Sequence, residues 1–208
     1  MWVCGIDETG RGALAGPLCV VAFCSNKMPT FYTNDSKKLT PQKRTEVFYN
    51  IINFIKENRK NAFISIKFID NKKIDEINIL RANLLAFEIV IKDIEKKISK
   101  KPDIIYIDGD KIPYLPDYNI IPVVKGDSKI KSIQIASIVA KVIRDRLMSK
   151  LSLKFPQYNF NENKGYYDKK HVEAIRKYGY CDFHRKSFLK NILQLNFSYN
   201  ISRKVGVL

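Results

Sequence analysis

The feature that most restricts this chain is a pair of apolar runs near its front. "MWVCGI" and "PLCVVAFCS" (Pro17–Ser25) show no polar alternation, and a short glycine-rich stretch joins them. Runs this short and this apolar read as strands buried on both faces. A sheet buried on both faces needs helices above and below it. The joining stretch, "GIDETGRG", sets two adjacent acids, Asp7 and Glu8, at the end of the first strand. Gly10, Arg11 and Gly12 follow them as a turn.

The rest of the pattern supplies those helices. "TPQKRTEVFYNIINFIKEN" is helical, with Thr40 as its cap and Pro41 suited to the first helical position. "NAFISIKFI" alternates with period two and reads as a strand. The spacing predicts one long amphipathic helix from Ile74 to Ile98, with Leu80, Leu84, Leu85 and Ile89 on its apolar face. "DIIYID" (Asp103–Asp108) and "YNIIPVV" are further strands. A helix follows from Lys129 to about Leu151. Its apolar positions are Ile135, Ile138, Val139, Val142 and Ile143, and Ala136, Ser137 and Ala140 permit close packing. Short helices are expected around Lys169–Tyr178 and Arg185–Ile192. No repeat or linker divides the 208 residues. The expected class is a single α/β domain, a mixed sheet flanked by helices, with a small helical C-terminal region.

Lys and Arg number 37 against 21 Asp and Glu, a formal charge of +16. Such an excess suits a polyanionic partner, because each phosphate neutralised releases counterions. A chain rich in Lys, Ile and Asn reaches the same charge without one. Cys4, Cys19, Cys24 and Cys181 form no C-x-x-C pair, so structural zinc is not expected. There is no basic leader and no long uncharged apolar run, so a cytoplasmic protein without a membrane span is expected, as a monomer by default.

Against that basic background, four acids stand at element ends. Asp7 and Glu8 end the first strand, Asp108 ends "IIYID", and Asp127 in "VVKGDSK" lies between a strand and a helix. Singly, each has a plain explanation: a solvated loop, an Asp-Gly turn at Asp108, an N-cap at Asp127. Together they would crowd one sheet edge, where α/β sheets place their sites. Gathered carboxylates repel unless a divalent cation joins them, and oxygen ligands suit Mg²⁺ or Mn²⁺. Two such ions can activate a water and stabilise the leaving oxygen of a phosphodiester. Asp145 is a poorer candidate. It lies eighteen residues beyond Asp127 along a helix, a rise of roughly 27 Å. It is expected to pair with nearby arginines. One difficulty remains at the front: neighbouring strand residues point to opposite faces, so Asp7 and Glu8 need an irregular strand end or a longer reach.

Several segments in order, "GIDETGRGALAGPLCVVAF", "DSKKLT", "YIDG", "KGDSKIKSIQIASIVAKVIRDRLM" and "NKGYYDKKHVEAIRKYGYCDFHRKSF", resemble the type 2 ribonuclease H family, ribonuclease HII, over roughly residues 2 to 190. The resemblance implies a ribonuclease H-like fold. It implies an endonuclease that cuts the RNA strand of RNA–DNA hybrids and single ribonucleotides embedded in duplex DNA, with two divalent cations, Mg²⁺ or Mn²⁺. Products would carry 5′-phosphate and 3′-hydroxyl ends. The family's metal-binding acids fall on Asp7, Glu8, Asp108 and Asp127, its glycine-arginine-glycine turn on Gly10, Arg11 and Gly12, and its tyrosine on Tyr166. The turn's main chain would read the 2′-hydroxyl that separates RNA from DNA, and Tyr166 would pack on the following deoxynucleotide. Lys37, Lys38, His184, Arg185 and Lys186 are candidate phosphate contacts, with Ser36 assisting. Residues about 155–208 would form a helical substrate-binding extension of the one catalytic domain. Ribonuclease HIII resembles the chain less, since its turn has lysine in place of Arg11. Tyr167 and Asp168 stand where the family usually has proline and threonine. No clear sliding-clamp motif stands in "NILQLNFSYNISRKVGVL". The competing readings are a non-enzymatic basic nucleic-acid-binding module and a DNA nuclease of the same fold.

Overall fold

The computed structural model describes residues 1–190 apart from 32, 34, 35, 37 and 38. The two front apolar runs are β1 (Val3–Thr9) and β2 (Leu18–Ser25), paired antiparallel. β3 (Ala62–Ile69) adds antiparallel to β2. On the other side of β1, β4 (Ile104–Asp108) and β5 (Ile120–Val123) add in parallel. The order is β3-β2-β1-β4-β5, which puts the acid-bearing strand in the centre.

Alternation along β2 explains the layers. Leu18, Val20, Ala22 and Cys24 face α3 (Ile79–Ile98), while Cys19, Val21 and Phe23 face α1 (Pro41–Glu57) and α4 (Lys131–Lys154). Every one of these side chains is fully buried, and each large aliphatic or aromatic one contributes about 1.5–3 kcal/mol. Thr40 caps α1 by accepting from Lys43 N at 3.2 Å, with Pro41 in the first turn. Gly5 is what lets α4 lie so close to β1: a Cβ there would come within 2.2 Å of the Ser132 carbonyl carbon.

The long helix expected from Ile74 to Ile98 is two helices. α2 (Asn71–Ile77) ends at Asn78, whose φ of 66° breaks the helical path. The Asn78 side chain then starts α3 by accepting from Arg81 N at 3.0 Å. Asparagine tolerates both jobs. The expected apolar face holds only in part, with Leu84 packed against the core. α3 buries Ala82, Asn83, Ala86, Phe87, Val90, Ile91 and Ile94, while Leu80 is exposed and Leu84, Leu85 and Ile89 are half-buried.

Past α4, the short helices α5 (Phe160–Asn163) and α6 (Lys169–Tyr178) fold back on its end. Tyr158, Phe160, Val172, Ile175 and Leu189 pack with Met148, Leu151, Leu14 and Ala15. This small third core therefore seals against the loop between β1 and β2. The chain is helical again from Lys186, and the rest of the expected helix to Ile192 lies outside the described residues.

Candidate active site

β1 stays regular through its acids: Asp7 pairs with Val21, Glu8 with Val20 and Thr9 with Cys19. Asp7 accordingly points to the α4 face, where the Ser137 hydroxyl favours its anion. Glu8 points to the α3 face, where the Asn83 amide does the same. No irregular strand end is needed. Both side chains still reach one cavity of about 240 Å³ at the end of β1, shared with Asp108, Thr9, Ser36, Ser137, Lys141 and Tyr166. Asp108 arrives because β4 runs parallel to β1 and ends beside it.

Asp127 is not among the residues lining this cavity, but its neighbour Gly126 is tied to the cavity wall. Asp108 Oδ1 accepts from Gly126 N at 2.7 Å, so one acid anchors the short 3-10 turn Gly126–Ser128 that carries the other. Asp127 itself is 5% exposed. Asp145 is not among the residues lining this cavity; it pairs with Lys141 at 2.9 Å, and its charge also acts on the neighbouring Arg144.

The cavity is electrostatically uncomfortable. Burial, then the charges of Glu8 and Asp108, push the Asp7 carboxyl well above the usual carboxylate range. Burial pushes Glu8 up too, with Asp108 adding and Arg11 opposing. Glu8 Oε2 is buried, and among the described residues no hydrogen bond of ordinary geometry reaches it. Arg11, half-exposed, places Nη1 3.4 Å from Glu8 Oε1. An orphaned buried oxygen among crowded carboxylates fits a divalent cation. Among the described residues no three His, Cys, Asp or Glu side chains stand close enough together to hold a metal ion by themselves. The remaining ligands would come from water and phosphate oxygens.

Beside the acids, the Gly10–Gly12 turn is held from within and open from without. Gly10 has φ of 93°, and a Cβ there would strike Arg144 Nε at 2.2 Å. Arg144 is fully buried on α4 and donates to the carbonyls of Pro17, Ala15 and Lys164 at 2.9, 3.1 and 2.9 Å. Arg185, also fully buried, donates to Gly16 O and Arg11 O. Gly12 faces open space. The Tyr166 hydroxyl accepts from Gly10 N at 2.9 Å, and its ring lies 5.1 Å from the Arg144 guanidinium.

The phosphate contacts expected of His184 and Arg185 need correction. Both are buried, at 1% and 0% exposure, with their polar atoms used inside the protein. They shape the loop and cannot reach a phosphate from there. Lys186 stays exposed. Ser36 lines the cavity and lies 2.9 Å from Ser137 Oγ. Lys37 and Lys38 lie outside the described residues. Arg144 was missed in the sequence. Its signal was a charge on the buried stripe of a helix, seven residues after Ser137 and four before Met148. A larger apolar groove of about 620 Å³, lined by Phe68, Ile143, Arg146 and Phe183 among others, holds none of the clustered acids.

A model of ribonuclease HII matches residues 4–191. The chain belongs to the ribonuclease HII family. It is 45% identical over 195 residues to the ribonuclease HII of Caldicellulosiruptor bescii, covering 93% of this chain and 89% of that one. The fold matches the ribonuclease H2 of Pyrococcus horikoshii with a TM-score of 0.75 at 24% identity, over 94% and 98% of the two chains. It also matches Bst-RNase HIII, solved in complex with Mn²⁺, with a TM-score of 0.64 at 18% identity, over 94% and 70%. The chain is thus a ribonuclease H enzyme with a mixed sheet flanked by helices. Among the described residues no helix is long and apolar enough to cross a membrane.

Proposed function

We propose that this ribonuclease HII hydrolyses the RNA strand of RNA–DNA hybrids, and cuts at single ribonucleotides embedded in duplex DNA, with two divalent cations. The observation that carries the reading is one juxtaposition. The cavity that gathers Asp7, Glu8 and Asp108 is bounded by Tyr166, whose hydroxyl is bonded to the first glycine of the Gly10–Gly12 turn. Acids and sugar reader share one wall.

Asp7, Glu8, Asp108 and Asp127 are the residues to hold Mg²⁺ or Mn²⁺. Bound there, the cations would supply an activated water and neutralise charge on the leaving oxygen, giving 5′-phosphate and 3′-hydroxyl ends. The chain's own residues do the rest. Arg11 and Gly12 are exposed residues, and Gly12 has no side chain to block a 2′-hydroxyl from the turn, whose Arg11 carbonyl is held from within by Arg185. Tyr166 offers its ring to the next deoxyribose, where a second hydroxyl would crowd it. Arg11 reaches a phosphate by leaving Glu8, a weak and half-exposed pairing. Lys37, Lys38 and Lys186 steady the backbone without reading sequence. Residues about 155–208 act as the substrate-binding extension. The chain's two histidines, His171 and His184, are buried and bonded to each other. Proton transfer in the cavity therefore falls to carboxylates and water.

Three labelled duplexes test this, each with and without Mg²⁺ or Mn²⁺: an RNA–DNA hybrid, DNA with one ribonucleotide, and all-DNA. Metal-dependent cutting of the first two alone is expected. Cutting of all-DNA would overturn the sugar reading. Tight binding without cutting under either metal would overturn the role of the acids.

A further inference from the structure

The two histidines form a chain whose proton positions can be deduced. His171 lies on α6, and His184 lies on the segment that bridges to Ala15. Their Nε2 atoms are 3.0 Å apart. At one end the Cys181 main-chain N–H, which can only donate, meets His184 Nδ1 at 2.9 Å. Nδ1 is therefore the acceptor, and the proton of His184 sits on Nε2. That proton is donated to His171 Nε2. The proton of His171 is then on Nδ1, which donates to the main-chain carbonyl of Tyr166 at 2.9 Å, a group that can only accept. One arrangement satisfies all four ring nitrogens, and in it both rings are neutral. Burial holds both histidines below their ordinary range, His184 at about 4 with His171 adding to the effect. The rings of Tyr158 and Phe160 pack around the pair.

The chain connects two grips on the Gly10–Gly16 loop. On the His184 side, Phe183 O accepts from Gly16 N at 2.8 Å and Arg185 N donates to Leu14 O at 2.8 Å. On the His171 side, Gly165 O accepts from Leu14 N and Ala15 N, and the Tyr166 hydroxyl holds Gly10 N. Just past Tyr166 the backbone reaches the surface, with Tyr167 at 67% exposure. The carbonyl end of Tyr166 would be loose there without His171.

We propose that His171 is a positioning residue for Tyr166: its Nδ1–H fixes the tyrosine carbonyl, and His184 holds the ring in that donating tautomer. The Tyr166 ring then keeps a fixed place beside the acidic cavity. This rests on the reading of Tyr166 as the group packed against the deoxyribose after a ribonucleotide.

The test has a spectroscopic arm and a kinetic arm. In ¹⁵N-histidine NMR of the full chain, His184 is expected as the Nε2–H tautomer and His171 as the Nδ1–H tautomer; Nδ1–H on His184 would overturn the proposal. For kinetics, His171→Asn and His171→Gln both remove the ring, but an Asn amide falls near Nδ1 and a Gln amide near Nε2. Only the first can still donate to Tyr166. With DNA holding one ribonucleotide, His171→Asn should stay near wild-type kcat, and His171→Gln should fall about tenfold at similar KM and melting point. Equal kcat in the two variants, full or impaired, would overturn the positioning role. Tyr166→Ala separates the two levels. If it cuts that duplex like wild type, the tyrosine reading fails and takes this proposal with it. If it is impaired while both His171 variants behave alike, only the positioning proposal fails.

Discussion

The acidic cavity and the loop clamp behind it handle buried charge in opposite ways. In the cavity, Asp7 and Glu8 crowd Asp108, and among the described residues Glu8 Oε2 has no hydrogen bond of ordinary geometry. In the clamp, Arg144 and Arg185 are equally buried, yet each spends its fork on main-chain carbonyls. Burying a charge is costly unless hydrogen bonds replace water. The clamp meets that condition with paired guanidinium forks, whereas in the cavity burial and crowding lift the carboxyls of Asp7 and Glu8. The cationic region secures the loop, and on the proposed reading the crowded acids are where cations bind.

The sharpest break in this comparison should come from Asp108→Asn. Cleavage of a hybrid in Mg²⁺ should fall on the order of a thousandfold or more, while hybrid binding by gel shift is kept. Near-full activity would remove Asp108 from the chemistry. Arg144→Met should do the reverse and act on the fold. It leaves three buried carbonyls without their donor, and urea unfolding should show a loss of about 3 kcal/mol. Gly12→Val probes the seam between the regions. A Cβ there meets no atom within 4 Å, so stability should change by less than about 0.5 kcal/mol. Cutting at a single ribonucleotide should nonetheless fall about tenfold; equal losses of melting temperature and activity would contradict the sugar-reading role.

The smallest expected effect has a sign worth working out. Folding lifts the Asp7 carboxyl pKa, so the folded protein keeps that proton where the unfolded chain has released it. The stability from this group is present below the ordinary aspartate pKa of about 3.9. It is lost as pH rises from there through the lifted value. At neutral pH in EDTA, wild type bears the cost of that lifted pKa and Asp7→Asn does not, so the variant should be the more stable of the two in urea unfolding. Added Mg²⁺ should raise the melting point of wild type more than that of the variant. A less stable variant in EDTA would show that Asp7 is comfortable as an anion.

What could be read in the sequence divides along the same line. β1 and β2 were legible because a run buried on both faces has little else to be, and the acids at strand ends were legible because α/β sheets place their sites at the edge where strands end. The helix break at Asn78 was hidden, since one residue serves as terminator and cap without glycine or proline to mark it. The face of α3 was misread in part because its large leucines lie on the flanks, and the small Ala82 and Ala86 meet the sheet. His184 and Arg185 read as phosphate ligands because a basic "HRK" run looks like surface. Their partners lie at Gly16 and at His171, and nothing local to the run points to either.

A last consequence concerns α4. Along one rod it places Ser132 against Gly5, Ser137 beside Asp7, Arg144 under Gly10 and Met148 under Gly16. Each step is set by helical phase, about 100° per residue. Deleting one residue between Ser137 and Arg144 would leave a good helix with its two ends out of phase. Length here is a fixed gauge.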